Sequence, residues 1–372
     1  PGTQTRYSCP MPFSAIQTYL KTARIDGWLI HDFRGSNAIL ARVLPHPENR
    51  RRFTTRRVGL FVPAAGRATL LVNPLDAGQF SPPHVSPVLA AAVDRRMYIS
   101  WRDLHGELAR LVGGAGSGRI AMEYAPGCTL PVVSTVDAGT VELLRSLGAE
   151  VVSSADLIQV SIARWSERAV AQHGRDSAVV NAIKDEAFAM IRGALAAGRT
   201  ITERDVQMLI QRRFVESNLE FPDGPIVAVN AHAGDPHFEP SLTNPSPIGR
   251  GDWVLIDMWA RAARAANADG TFERDEELVY SDITWTGFCG RPADCPARCR
   301  EVFDGVRDAR DAALALAQSS WKSGSPAQGW QLDDAARNVL IARGLETAVR
   351  HRTGHSLSPG PMAVSYTHLT LP

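Results

Sequence analysis

The chain has 372 residues, 44% of them hydrophobic, and its 40 basic and 39 acidic side chains give a formal net charge of +1. This balance gives no electrostatic reason to expect nucleic acid or an anionic membrane as a partner. No apolar stretch approaches the roughly 18 residues that a membrane helix needs. Five cysteines are too few and too unevenly spaced for a disulfide framework. The sequence therefore predicts a cytoplasmic chain large enough for two domains.

The first part of the chain alternates predicted helices and strands. A helical pattern over residues 13–25 leads into the apolar strand GWLIH, and VGLFV and ATLLV flank the turn PAAGR as a hairpin. A strand MYISW, a helix capped by Asp103, a strand GRIAMEY and a helix from Val136 to Leu147 follow. This alternation predicts a compact α/β domain over residues 1–160.

The pattern changes after Ser166, where a long amphipathic helix is predicted. A second helix follows a capping box formed by Thr202 and Asp205. The strands PIVAVN, WVLIDMWA and VYSDITWT come next, and helices are predicted near 299–317 and 332–342. Helices followed by strands and then by helices predict an α+β layer domain over residues 161–360, with 361–372 as a non-native tail.

Two aspartates interrupt otherwise apolar strands. Asp257 lies in GDWVLIDMWA and Asp282 lies in VYSDITWT. A carboxylate in such a strand is costly unless it is hydrogen-bonded, paired or bound to a cation, so each aspartate alone could be a satisfied core residue. The later pair His351 and His355 in HRTGH changes this interpretation, because carboxylates with an imidazole suit manganese, cobalt, iron or zinc. The pair lacks the glutamate of HExxH, and its Thr-Gly centre predicts a loop or strand.

The order PIVAVNAHAGDPHFEP, GDWVLIDMWA, SDITWT and HRTGH resembles the pita-bread metallohydrolases. This family includes Xaa-Pro aminopeptidases, prolidases, methionine aminopeptidases and creatinase. The segment GWLIHDFRGSNAIL is similar to their creatinase/prolidase N-terminal domain. The resemblance implies an α/β creatinase-like N-terminal domain followed by an α+β pita-bread catalytic domain.

The resemblance also implies roles for five side chains. Asp257, Asp282 and His355 match metal ligands, and His237 and His351 match catalytic histidines on the substrate side. Family members bind two divalent ions, for which manganese is favoured over cobalt or zinc, and these ions hold an attacking water as hydroxide. The implied partners are a peptide with proline at its second position and a second copy of the chain.

Two departures from the family pattern bear on activity. Two further glutamate ligands are expected beyond the second histidine of HRTGH, yet no glutamate follows Glu346. The ending VSYTHLTLP resembles translated sequencing adapter, so we expect a catalytic domain that is incomplete at its C-terminus and inactive as printed. Trp285 stands where many relatives carry arginine, which leaves the substrate assignment open.

Three functions remain open at this stage. The first is a metal-dependent exopeptidase that acts next to proline, either an Xaa-Pro aminopeptidase or an Xaa-Pro dipeptidase. The second is a creatinase-like C–N hydrolase without metals, against which the retained Asp257, Asp282 and His355 argue. The third is a non-catalytic binding module with the same fold, which the missing glutamates would favour.

Overall fold

The computed structural model describes residues 13–46, 52–114, 118–263 and 278–357. The tail predicted at 361–372 therefore lies outside the described residues. The chain divides into two compact units, of which the first ends at Arg164 and the second begins at Trp165. Among the described helices, none is long and apolar enough to cross a membrane.

The first unit is built on a six-stranded mixed sheet. Its strands are β1 (Gly27–Asp32), β2 (Val58–Pro63), β3 (Ala68–Val72), β4 (Val93–Met97), β5 (Arg119–Met122) and β6 (Glu150–Ser153). They lie in the order β4-β3-β2-β1-β5-β6. The helices are α1 (Ser14–Ala23), α2 (Ala38–Val43), α3 (Pro87–Ala92), α4 (Trp101–Gly113), α5 (Ala138–Ser146) and α6 (Ala155–Ser161).

The strand pairing in this unit confirms the predicted hairpin and corrects two local details. Strands β2 and β3 pair antiparallel, whereas β3–β4 and β5–β6 are parallel and are joined by helical crossovers. The predicted strand MYISW is wrong after Met97, where β4 ends. The cap of α4 is Ser100, whose hydroxyl accepts from the Asp103 amide, while Asp103 forms the other half of a capping box.

A fully buried carboxylate joins three segments of the first unit. Glu123 follows β5 and accepts hydrogen bonds from Trp28 Nε1 (2.7 Å), Asn37 Nδ2 (2.7 Å) and Ser154 Oγ (3.2 Å). Burial raises the pKa of Glu123 to about 7, although the three donors act to lower it. Glu123 therefore ties β1, the N-cap of α2 and the start of α6 together, at an electrostatic cost when it is ionised.

Replacing Glu123 with glutamine should remove a pH-dependent component of stability. The ordinary pKa of 4.5 rises to about 7 in the folded protein, so the folded state binds more protons in this window and its stability falls as pH rises. Relative to the unmodified chain, Glu123→Gln should gain up to about 3 kcal/mol in unfolding free energy between about pH 5 and about pH 8. Denaturant unfolding of the first unit at both pH values measures this gain.

The matched control is Glu150→Gln, the same chemical change at an exposed position on β6. It should show a much smaller pH-dependent difference. If the two variants behaved alike, the raised pKa of Glu123 would be contradicted.

The second unit packs helices against a four-stranded antiparallel sheet. Its elements are α7 (Glu167–Ala196), α8 (Glu203–Glu216), β7 (Leu219–Glu220), β8 (Ile226–Val229), β9 (Trp253–Ala262), β10 (Ser281–Phe288), α9 (Ala297–Lys322) and α10 (Gly329–Ala342). Strand β9 pairs with β10 on one edge and with β7 and β8 on the other. The predicted capping box of Thr202 and Asp205 is confirmed at the start of α8.

The core of this unit lies between α7, α8 and one face of β9. Ile256, Met258 and Ala260 are completely buried there, together with Val180 of α7 and Phe214 of α8. The residues between them on β9 are only half-buried, as expected where successive side chains point to opposite faces. One face of β9 is therefore committed to the apolar core, and the other is free for polar groups.

Candidate metal and substrate site

Asp257 and Asp282 lie on the same face of the sheet, opposite the apolar core. In the antiparallel register of β9 and β10, Asp257 stands opposite Thr284 and Asp282 stands opposite Trp259. The two aspartates are therefore diagonal neighbours across the strand pair, a separation that side chains can span. Strand pairing alone brings the two carboxylates together.

The surroundings of the two carboxylates disfavour their ionised forms. Burial raises the pKa of Asp257, while a hydrogen bond from Thr284 Oγ1 to Asp257 Oδ1 (2.7 Å) and the nearby His355 and His351 act to lower it. Burial also raises the pKa of Asp282, the charge of Asp257 raises it further, and His355 lowers it. Two ionised carboxylates here repel each other, and a positive charge would offset that repulsion.

The loop after α10 carries the two histidines of HRTGH in an irregular conformation, as predicted. His355 Nε2 lies 3.8 Å from Asp282 Oδ2. Its Nδ1 faces the carbonyl oxygen of Ser356 at 3.2 Å, and His351 Nδ1 faces that of Arg352 at 2.7 Å. A carbonyl can only accept, so each Nδ1 donates its proton, and Nε2 is the ring atom left to bind a cation. For His355, that atom is the one nearest Asp282.

Asp333 of α10 anchors this loop, a role that no sequence motif indicated. It is almost fully buried. Its Oδ1 accepts from Thr353 N (2.6 Å) and Thr353 Oγ1 (2.7 Å), and its Oδ2 accepts from Arg337 Nε (2.6 Å). Burial acts to raise the pKa of Asp333, but the bonds from Arg337 and Thr353 outweigh it and lower the pKa. Asp333 thus holds the centre of HRTGH between its two histidines.

His237 is exposed on the segment that follows β8. Its backbone amide donates to Asp235 Oδ1 at 2.9 Å. The contacts of the described residues include none between its side chain and Asp257, Asp282 or His355. The structure therefore groups two aspartates with the HRTGH histidines, and the role of His237 stays a prediction.

Trp285 lies on the opposite face of β10 from the two aspartates, because it is one residue out of phase with them. Its half-exposed ring lies under the Lys184 ammonium of α7, which is 4.2 Å from the ring centroid. This cation–π contact gives the tryptophan a packing partner on α7. Trp285 therefore belongs to the helix-facing side of the sheet.

Comparison with known families decides the class of the protein. Residues 177–362 match the profile of metallopeptidase family M24 and so include both aspartates and the HRTGH loop. The chain belongs to metallopeptidase family M24. It is thus a member of a hydrolase family, as predicted.

Solved structures of the M24 type share its fold. They include a dipeptidase PepE from Mycobacterium ulcerans (22% identity, TM-score 0.59, 94% of this chain and 80% of that one). An Xaa-Pro dipeptidase from Bacillus anthracis has 16% identity and a TM-score of 0.51, over 97% and 86% of the two chains. An X-prolyl aminopeptidase from Caenorhabditis elegans, a cytosolic enzyme with a di-nuclear active site, has 14% identity and a TM-score of 0.52, over 90% and 48%. No curated protein matched the chain. The predicted pita-bread fold after an α/β N-terminal unit is confirmed.

The donor chemistry at this M24 site fits a divalent metal. Two carboxylates share one sheet face, and His355 Nε2 lies 3.8 Å from one of them. Oxygen and imidazole ligands of this kind suit manganese, cobalt, iron or zinc. Within the described ranges, however, no three His, Cys, Asp or Glu side chains stand close enough together to form a metal cage. Asp257, Asp282 and His355 thus have the right ligand types and lie near one another, but they do not form a complete coordination shell.

Removing the Thr284 hydroxyl should weaken metal binding. Thr284→Val keeps the side-chain shape but deletes the hydrogen bond that orients Asp257 Oδ1. Loss of such a support to a ligand lowers metal affinity by about tenfold or more. Titration with manganese or zinc, followed by calorimetry, measures the affinity.

The control is Thr286→Val, two residues along the same face of β10, where Leu255 stands opposite. It should leave the affinity unchanged. Equal affinities for Thr284→Val and the unmodified chain would show that Asp257 is not a ligand oriented by Thr284.

Proposed function

We propose that the site hydrolyses the peptide bond next to proline, as an Xaa-Pro aminopeptidase or Xaa-Pro dipeptidase with a dinuclear metal centre. The observation that carries this proposal is the pairing of Asp257 with Asp282 on one sheet face, with His355 Nε2 3.8 Å from Asp282. Support also comes from fold relatives that are named as an Xaa-Pro dipeptidase and an X-prolyl aminopeptidase. The proposed substrate is a peptide with proline at its second position.

In this proposal, Asp257, Asp282 and His355 hold the metal ions, and manganese is favoured over cobalt or zinc. When bound, such ions polarise a carbonyl and lower the pKa of a water, which supplies the nucleophile. The chain contributes the positions of its ligands. The strand ladder fixes both aspartates, Thr284 orients Asp257, and the Ser356 carbonyl holds the His355 ring with its Nε2 toward Asp282.

We assign His351 and His237 to the substrate side. His351 is exposed, and its Nδ1 is engaged by the Arg352 carbonyl, so its Nε2 is the atom that can bind substrate or exchange a proton. His237 is exposed on a separate loop, and we assign its ring to contact with the bound peptide. Two imidazoles of this kind can bind the scissile amide and protonate its leaving nitrogen.

A second candidate function is a binding module that keeps the fold without catalysis. It is favoured by the sequence beyond Glu346, which contains no glutamate, and by the lack of a closed metal cage among the described residues. Such a module would bind proline peptides without cleaving them. Measurement of binding and cleavage on the same protein separates the two candidates.

The histidine assignments predict different consequences for three alanine variants. In a version of the chain extended to carry two further glutamate ligands, His355→Ala should remove most bound metal, because it deletes a ligand. His351→Ala and His237→Ala should keep metal within about twofold and lower kcat by about a hundredfold, the range for loss of a proton-transfer group. Elemental analysis and hydrolysis of a proline peptide measure the two properties.

His105→Ala, on α4 of the first unit, is the matched control and should change neither property. Loss of metal from His351→Ala, with metal retained in His355→Ala, would reverse the assignment of the two histidines.

The 372-residue polypeptide should bind at most one divalent ion, weakly, and should not cleave Xaa-Pro peptides. It supplies three side chains that would hold the ions, Asp257, Asp282 and His355, and no glutamate follows Glu346 in its sequence. Two dications a few ångströms apart repel strongly unless carboxylates offset their charge. Equilibrium dialysis against manganese gives the stoichiometry, and an assay with a proline dipeptide and tripeptide gives the activity.

A version of the chain extended to carry two further glutamate ligands is the comparison. It should cleave a proline peptide and spare the matching alanine peptide. Robust manganese-dependent cleavage by the 372-residue polypeptide would refute the expected inactivity. Binding of proline peptides without cleavage by both proteins would favour the binding module.

A further inference from the structure

The buried carboxylate of Glu203 contacts the loop that carries His237. Glu203 is the first residue of α8, and its side chain is only 1% exposed. Its Oε1 accepts hydrogen bonds from Val229 N (2.7 Å) and from His232 Nδ1 (2.8 Å). Among the described residues, Glu203 Oε2 has no hydrogen-bond partner. One buried oxygen therefore joins the end of β8 to the imidazole of His232.

The hydrogen bond from His232 to Glu203 also restrains the residues around His237, because His232 contacts Phe238. Its ring stacks on Phe238, with centroids 4.2 Å apart and planes inclined by 22°. Phe238 is the direct neighbour of His237 in the chain. The stack therefore fixes the residue that follows His237, through a ring that Glu203 itself holds in place.

Backbone hydrogen bonds also stabilise this turn. Asp235 N donates to His232 O (3.1 Å), and Phe238 N donates to Asp235 O (3.1 Å). The side chain of Asp235 accepts from His237 N at 2.9 Å. The segment from His232 to Phe238 is thus a closed turn that rests on the imidazole of His232.

The start of the loop has a second anchor, at Asn230. Its Nδ2 donates to Asp252 Oδ1 (2.7 Å), and its Oδ1 accepts from Trp253 N (3.0 Å). This anchor fixes where the chain leaves β8, but it lies seven residues before His237. The Glu203–His232 pair is the nearer restraint, and it acts on the turn itself.

We propose that Glu203 and His232 are positioning residues that hold His237 in a single orientation. Neither is a catalytic residue, since Glu203 is buried and His232 acts through Phe238 and the turn. The inference rests on the proposed function for the role of His237, although the bracing of the turn can be tested without any activity. The proposal also explains why the buried residue Glu203 is a glutamate. Thr202 already caps α8, so Glu203 is not needed as a cap.

The test uses the 372-residue polypeptide, with hydrogen–deuterium exchange as the first readout. The variants are Glu203→Ala, Glu203→Gln and His232→Phe, and the control is Glu216→Ala at the exposed end of α8. Gln keeps the oxygen that accepts from Val229 and His232, and its amide would occupy the place of the unpartnered Oε2. Phe keeps the stack on Phe238 but loses the bond to Glu203.

Exchange at the amides of Asp235, His237 and Phe238 should rise at least tenfold in Glu203→Ala and less in His232→Phe. Glu203→Gln and Glu216→Ala should match the unmodified protein, and exchange in β9 and α7 should stay unchanged in every variant. Unchanged exchange in Glu203→Ala, or an equal rise throughout the second unit, would overturn the proposal.

Turnover is the second readout, on a version of the chain extended to carry two further glutamate ligands. Glu203→Ala should lower kcat at least tenfold with metal content unchanged, and Glu203→Gln should restore it. A mobile turn with normal kcat would refute the positioning of His237 for catalysis. If the unmodified protein cleaves no peptide, the proposed function fails, while the exchange data still decide whether Glu203 and His232 brace the turn.

Discussion

The register of β9 against β10 is the constraint on which the site depends. Ile256, Met258 and Ala260 fill the core from one face of β9, so the alternate face must carry Asp257. A shift by one residue would turn Asp257 into the apolar core and the apolar side chains of Ile256, Met258 and Ala260 out of it. Each of these changes is costly, because burial of a carboxylate without a partner and exposure of apolar surface both lower stability. The hydrophobic pattern of β9 therefore determines the direction of its carboxylate.

The placement of Asp257 and Asp282 side by side lowers the stability of the fold at the same position where it forms a candidate metal site. The pKa values of Asp257 and Asp282 are both raised by burial, and that of Asp282 also by the charge of Asp257. A fold selected for stability alone has no reason to place two acids side by side on a half-buried sheet face. The Thr284 hydroxyl and the nearby HRTGH histidines offset part of the cost, which is the pattern expected of a binding site for a cation.

Much of this could be predicted from the sequence, because it depends on local patterns. Strands β9 and β10 were predicted from otherwise apolar runs that contain Asp257 and Asp282, and the start of α8 was predicted from the capping box at Thr202. The error at α4 was also local: Asp103 is half of a capping box, and the sequence interpretation took it for the cap itself, which is Ser100.

What could not be predicted depends on contacts between distant residues. Asp333 and Glu203 are ordinary residues of helical segments in the sequence, and nothing near them reveals a partner. Their partners, Thr353 and His232, are 20 and 29 residues away and meet them only in the folded unit. Glu123 of the first unit is a similar case, since Trp28, its first hydrogen-bond donor, lies 95 residues away.

The site residues fall into two groups that the fold positions in different ways. The aspartates lie on strands, where the hydrogen-bond ladder sets which face of the sheet each side chain takes, and Thr284 then orients the Asp257 carboxylate. The histidines lie on irregular loops, which have no ladder and would otherwise sample many conformations. Asp333 of α10 grips the loop of His351 and His355, and Glu203 of α8 holds the turn of His237 through His232. A carboxylate suits this task because one group accepts several hydrogen bonds at once, so a rigid helix can hold a flexible loop at a single buried point.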